Sequence, residues 1–266
     1  MTHLLQAPVS PDRTGHRRAV AVGDPGGAWL VDASAGQPGL PLVIFPHAGA
    51  GPSVYRRFAQ LVGDPFRPLI VQLPGRDRRI HEPPCGDLPA LLRALRQALA
   101  PLLADRFVFY GHSMGALLAF ELARHLRRAY GVEPDHLVVS GRAAPSQPAG
   151  PARHRLPDDQ LSTWVCGLLG TPPEVAADPD MRALLLPALR ADLAVCETYQ
   201  YRPEPPLDCP ISSFAGDRDR EAPSPDMAGW ARESRSQYRH EVLSGDHFFN
   251  LARDGGFAAR FLQSIR

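Results

Sequence analysis

The sequence predicts an α/β fold, with a mostly parallel central sheet flanked by helices and an inserted helical segment late in the chain. Three observations carry this. Short apolar runs of strand type alternate with longer helical patterns from Leu42 to Ser140, and the alternation resumes at Ile211. Between them, residues 145–206 hold helical patterns and no convincing strand. Finally, the run Phe107–Tyr110 enters Gly111-His112-Ser113-Met114-Gly115 and a long helical pattern leaves it, which reads as strand, sharp turn, helix. Strands buried on both faces read as continuous apolar runs, and these do.

The elements follow in order. Residues 1–27 are rich in Pro, Gly, Arg and Asp and are expected to form a loose arm ahead of a single domain, 28–266. Ala28–Val31 reads as a first, edge strand. Leu42–Phe45 is a buried-type strand that runs into Pro46-His47-Ala48-Gly49-Ala50-Gly51. A helix is expected over Val54–Val62 and a strand over Leu69–Leu73, ending in Pro74-Gly75-Arg76. Asp87–Leu103 is amphipathic, with Leu88, Leu91, Leu92, Leu95, Leu99, Leu102 and Leu103 on one broad face. The elbow strand comes next, then a helix over Ala116–Tyr130 and a strand at Leu137–Ser140. The insertion, about 145–206, has helical stretches at Asp158–Leu169 and Pro179–Tyr199. Strands at Ile211–Ala215 and His240–Leu243 enclose a helix near Pro225–Ser234, and a last helix spans Gly255–Ile265. An insertion that follows a strand's C-terminus sits over the edge of the sheet where ligands bind, so this one reads as a lid. Its apolar residues, among them Trp164, Leu168 and Leu189, are expected to line an acyl pocket.

Composition bounds the chemistry. The chain has 266 residues, 44% of them apolar, and a net charge of +1, which suits one large domain and gives no reason to expect nucleic-acid binding. All 29 basic residues are arginine, so a P-loop lysine, a Schiff-base lysine and a Ser-Lys dyad are impossible. Cys85, Cys166, Cys196 and Cys209 show no metal-ligand spacing and read as reduced thiols of a cytoplasmic protein. No signal pattern and no membrane-length apolar run is present.

The G-x-S-x-G at Gly111–Gly115 places Ser113 on a turn where both flanking glycines let backbones pass closely. A serine hydroxyl needs a base, and the base needs an orienting acid. With this elbow the chain order is Ser, acid, His. Among the later histidines, His247 in Ser244-Gly245-Asp246-His247-Phe248-Phe249 lies just past a strand's C-terminus, where a base must lie to reach Ser113. The acid should follow the preceding strand, in Gly216-Asp217-Arg218-Asp219. Two aspartates compete there: Asp219 is preferred as the partner of His247, and Asp217 as the residue serving the turn. The oxyanion donors are expected to be the backbone N–H groups of Met114, at a helix start, and Ala48, in a loop of small residues. His47 precedes the serine and is expected to fix that loop by a hydrogen bond.

Together these segments resemble the type II thioesterases of polyketide and nonribosomal peptide assembly lines. The resemblance runs from Leu42 to the C-terminus. It covers FPHAGAG at Phe45–Gly51, LPGR at Leu73–Arg76, Glu82-Pro83-Pro84, GHSMGALLAFELAR, SGRAAP at Ser140–Pro145, Asp192 with Tyr199, CPI at Cys209–Ile211, GDRD and GDHFF. It implies an α/β-hydrolase fold with a helical lid. It also implies hydrolysis of acyl groups from the phosphopantetheine arm of acyl or peptidyl carrier proteins. Ser113, Asp219 and His247 would form the triad, with Ala48 and Met114 as oxyanion donors and no metal or redox cofactor. The chain departs from the family pattern at Arg220, where members usually have Pro, and at Asp77, where they usually have Gly. Carrier proteins of this kind are expected to be acidic, so Arg76, Arg78 and Arg79, after a strand end, are expected to help dock the carrier. The protein is expected to act as a monomer. The rival readings are a chain-releasing acyltransferase or cyclase, disfavoured because the chain starts and ends near one domain, and an inert hydrolase-fold binding protein.

Overall fold

Among the described residues, seven strands form one sheet: β1 (Leu30–Asp32), β2 (Leu40–Phe45), β3 (Phe66–Val71), β4 (Val108–His112), β5 (His136–Ser140), β6 (Ile211–Gly216) and β7 (Tyr238–Leu243). Their order across the sheet is β1-β3-β2-β4-β5-β6-β7, and every pair is parallel except β1 with β3. The computed structural model describes residues 29–148, 150–169 and 178–265; the expected arm over 1–27 lies outside them. Among the described residues, no helix is long and apolar enough to cross a membrane.

The helices are α1 (Pro52–Leu61), α2 (Leu88–Leu99), α3 (Met114–Tyr130), α4 (Asp158–Leu169), α5 (Pro179–Glu197), α6 (Ser224–Met227) and α7 (Gly256–Ser264). Strand residues alternate between the two faces. Val43 and Phe45 pack with Leu91, Leu95 and Leu99 of α2 and Leu118 and Leu122 of α3. Leu42 and Ile44 pack on the other face with Tyr55 and Phe58 of α1 and Phe257 and Phe261 of α7. This side-to-side alternation is the period of an extended chain, and burial on both faces explains why the strands read as unbroken apolar runs. Each fully buried leucine contributes about 1.5–3 kcal/mol relative to exposure. Local signals set the helix ends. Asp87 caps α2 by accepting from the Ala90 N–H, and Gly131 closes α3 in the left-handed conformation at φ 67°.

Chain order places the site. β2 leads out to β3 on one side and then to β4 on the other, so the chain reverses its direction of growth between β2 and β4. The crevice beyond the carboxyl ends of those strands is where such sheets bind ligands. The loop after β2 and the elbow after β4 both lie there. α4 and α5, between β5 and β6, form a small cluster of their own from Leu161, Leu186, Leu189 and Leu193, which rests on Ala48 of the β2 loop. The whole is an α/β-hydrolase fold with a helical insertion.

β1 stands at the edge of the sheet, as expected, and runs antiparallel, a direction that apolar patterning does not encode. One element differs in type from the expectations. The helix expected near 225–234 is one α turn, Ser224–Met227, followed by a 3-10 stretch over Ala228–Glu233. Trp230 is fully buried there, with its Nε1–H donating to the Arg142 carbonyl at 2.9 Å, so tertiary packing rather than helical periodicity sets that segment.

Candidate active site

Ser113 sits between β4 and α3 with φ 54° and ψ −115°, a region L-residues avoid. Holding a non-glycine residue there costs of the order of 1–3 kcal/mol, and its surroundings explain why it persists. The Ser113 N–H donates to the Ser140 carbonyl at the end of β5 at 2.8 Å, and the Ser113 carbonyl accepts from Ala116 N–H at 3.1 Å. The two flanking glycines are required sterically. A Cβ on Gly111 would meet the Gly115 carbonyl oxygen at 2.1 Å, and one on Gly115 would meet that of Phe45 at 1.9 Å.

His247 and Asp219 meet across the ends of β6 and β7. His247 Nδ1 lies 2.9 Å from Asp219 Oδ2. The other carboxylate oxygen accepts from the backbone N–H groups of Glu221 and Ala222 at 2.8 and 3.1 Å. Burial pushes the Asp219 carboxyl up. The His247 hydrogen bond and charge and the two backbone donors outweigh it, so the net shift is below the usual carboxylate value. Asp217, the competing aspartate, is exposed and accepts from the Gly245 N–H at 2.8 Å, joining the β6 and β7 turns. Of the two, only Asp219 is placed on His247.

Two further histidines pack behind His247. The His112 ring is 5.1 Å from that of His247, and its Nδ1 lies 2.7 Å from Ser140 Oγ. Gly141 makes room for it, since a Cβ there would stand 2.4 Å from His112 Cε1. Burial, then the neighbouring His247 and His47, hold the His112 imidazole well below the usual histidine range. His47 is pushed down to about 3 by burial first and by His247 and Arg76 next. His47 Nδ1 bonds the Tyr55 hydroxyl at 2.8 Å, which anchors the β2 loop to α1, the loop-fixing role expected for it.

Ser113 and His247 face one chamber of about 770 Å³, and Ala48, Trp164, Leu168 and Leu189 line it as well. Met114 is the first residue of α3, so its N–H has no carbonyl one turn earlier to bond. Ala48 lies in the loop beside it.

The arginines after β3 require a correction. Arg76 and Arg79 are buried, with 5% and 7% exposure, and only Arg78 is exposed. Arg76 is committed to Asp192, with Nη1–Oδ2 at 2.5 Å and Nη2–Oδ1 at 2.9 Å. Arg79 donates to Glu82 and to the Gln72 carbonyl and stacks on Trp29, 4.2 Å from the ring centroid. Neither guanidinium is free to meet a partner. The sequence reading missed what Arg76 does because its partner lies on α5, far along the chain. The available signal was an aspartate between Leu189 and Leu193 on an otherwise apolar helix stripe.

Residues 40–265 match the family described as Thioesterase domain. The chain is 41% identical over 212 residues to a protein of Brevibacillus parabrevis named linear gramicidin dehydrogenase LgrE, covering 78% of this chain and 81% of that one. It is 39% identical to thioesterase PikA5 of Streptomyces venezuelae, over 78% of this chain and 74% of the other. Among solved structures, the type II thioesterase BorB from the borrelidin biosynthetic cluster superposes with a TM-score of 0.81 at 33% identity, covering 90% of this chain and 98% of its own.

Proposed function

The chain belongs to the thioesterase domain family, alongside type II thioesterases of polyketide and nonribosomal peptide clusters, and from that premise we propose that it hydrolyses acyl thioesters carried on the phosphopantetheine arm of acyl or peptidyl carrier proteins. The observation that carries the reading is the Asp219–His247 pair opening onto the same chamber as the strained Ser113. In this mechanism His247 takes the Ser113 proton as Oγ attacks the thioester carbonyl. Asp219, whose carboxyl is held, despite its burial, below its usual value by His247 and then by its backbone donors, fixes the imidazole and stabilises the imidazolium. The N–H groups of Met114 and Ala48 receive the tetrahedral oxyanion. The C–S bond breaks and the pantetheine sulfur leaves with the proton from His247. Water activated by the same imidazole then attacks the acyl-serine and releases a free acid.

The Brevibacillus relative is named a dehydrogenase, whereas residues 40–265 of this chain match the thioesterase domain family.

The experiment is a panel of acyl-carrier thioesters offered to the wild type and to Ser113→Ala, with the released acid identified. The wild type should release free acid from carrier-bound chains, and Ser113→Ala should lose turnover by the order of 10⁴–10⁶-fold. A variant retaining half its activity would rule out Ser113 as the nucleophile, and a cyclised or transferred product would make the protein an acyltransferase or cyclase.

A further inference from the structure

We propose that Asp192 and Arg76 form a positioning pair that holds the Ala48 N–H in place for the oxyanion, which makes the C-terminal half of α5 a fixed part of the catalytic apparatus. Asp192 is wholly buried. Its Oδ2 accepts from the Gly49 N–H at 2.7 Å, one residue beyond Ala48, and both of its oxygens are held by Arg76. Arg76 also donates to the Ala50 carbonyl at 3.4 Å and to the Pro74 carbonyl at 3.2 Å. The peptides on the far side of Ala48 are therefore gripped by one charged pair, while His47 on its near side is held by Tyr55. Leu189, one turn before Asp192, packs on Gly49, whose φ of 79° needs a glycine. Asp77 completes the backing by accepting from the N–H and hydroxyl of Ser53 at 3.0 and 2.9 Å.

The physical argument is one of preorganisation. A backbone donor stabilises a developing oxyanion only if it already points at the position the oxygen will take. A loop of Ala and Gly has little side-chain packing to hold it. A carboxylate accepting from the neighbouring N–H supplies the missing restraint, and the paired guanidinium keeps that carboxylate aimed. Removing one member would leave the other buried and unpaired, whereas removing both charges leaves no such orphan. That difference separates a positioning role from a stabilising one.

The inference rests on the serine-hydrolase reading and on Ala48 as an oxyanion donor. It is tested on a short acyl-pantetheine thioester with the wild type, Asp192→Asn, Asp192→Ala and the charge-free double variant Asp192→Leu/Arg76→Met. Each is measured for kcat, KM, and affinity for two analogues. One is a trifluoromethyl ketone, which Ser113 converts to a hemiketal oxyanion; the other is a non-reactive thioether of the same length. For Asp192→Ala and the double variant, kcat should fall about 10²-fold, the scale of losing one oxyanion donor. Ketone affinity should fall in parallel with kcat/KM, while KM and thioether affinity stay within about threefold of wild type. Asp192→Asn, whose amide oxygen can still accept from Gly49, should lose less.

A folded double variant with wild-type kcat overturns the proposal. So does a loss confined to KM with ketone affinity intact. If Asp192→Ala does not fold, the double variant and Asp192→Asn decide; if none of the three folds, the pair is a folding determinant and the positioning role is rejected. Activity surviving in Ser113→Ala would instead remove the reading beneath the proposal, whatever the Asp192 variants do.

Discussion

At the scale of single residues, the site is a set of ionisable groups whose surroundings fix their states. Asp219 accepts two backbone hydrogen bonds and faces His247, whereas Asp217 accepts one in an exposed turn. Asp219→Asn should therefore cost turnover on the order of 10⁴-fold, the scale seen when a triad acid loses its charge. Asp217→Asn should change turnover by less than about tenfold, since it removes only a surface turn contact. Steady-state assays on one thioester settle the ranking, and the reverse order would move the role to Asp217.

The buried histidines predict an acid limit. His47 is held down to about 3, His136 to about 4 by burial first and then Arg239, and His112 well below its usual value. Each folded-state value lies below that of the unfolded chain, so the neutral folded form is favoured. Their contribution is complete above the unfolded value near 6.5 and is lost as pH falls below it, while the unfolded chain takes up protons that the folded one refuses. The slope is about 1.4 kcal/mol per pH unit for each such histidine. Urea unfolding should show stability dropping steadily from pH 7 to pH 5, with His47→Asn shallower than the wild type. A flat profile over that range would mean the folded protein accepts these protons.

At the scale of elements, the loop after β3 shows what patterning can and cannot reveal. The elbow, the His247 loop and the bounds of α4 were legible because each rests on residues adjacent in the chain: glycines at the turn, a strand end, an apolar stripe. Asp192 and Arg76 meet through the folded insertion, and no local signal links them. Arg79 was misread although Glu82, three residues on, was a local partner; its other contacts, Gln72 and Trp29, lie beside β3 and β1 at the edge of the sheet. The correction has a measurable consequence. Arg79→Glu should lower stability by about 2 kcal/mol through its lost hydrogen bonds and stacking, with little selective effect on carrier-bound substrate. Arg78, exposed and next to it, is the residue left to test for docking: Arg78→Glu should leave the unfolding midpoint unchanged. If Arg78 contributes charge to an encounter with an acidic carrier, its reversal lowers kcat/KM on carrier thioesters and not on a pantetheine mimic, and the loss shrinks as salt rises. Equal effects on both substrates would deny it any docking role.

At the scale of the whole molecule, the sheet positions Ser113, Asp219 and His247, and the insertion supplies much of the chamber wall. Trp164 of α4 lines the chamber beneath Arg153, whose guanidinium lies 4.5 Å from the ring centroid and pairs with Glu221 at 2.8 Å. Glu221 is two residues past Asp219 and its backbone N–H donates to the Asp219 carboxylate, so the chamber wall is tied directly to the Asp219 loop. Trp164 also packs against the cluster of Leu186, Leu189 and Leu193 of α5, which line the chamber as well. Such walls select by apolar contact, worth about 0.8 kcal/mol per buried methylene. Discrimination between neighbouring chain lengths should then be only several-fold, since a hydrophobic pocket distinguishes one methylene weakly. Trp164→Ala enlarges the chamber without altering a side chain of the Asp219–His247 pair. It should shift the preferred acyl length upward and raise KM for short chains, while the maximal rate on the best substrate stays within about threefold of wild type. The measurement is kcat/KM over a graded series of acyl-pantetheine thioesters for both proteins. A wild-type preference above about 10³-fold for one acyl group exceeds what methylene contacts can supply, and would require a polar recognition element in the chamber. That outcome would point to release of a single dedicated product rather than hydrolysis of many acyl groups.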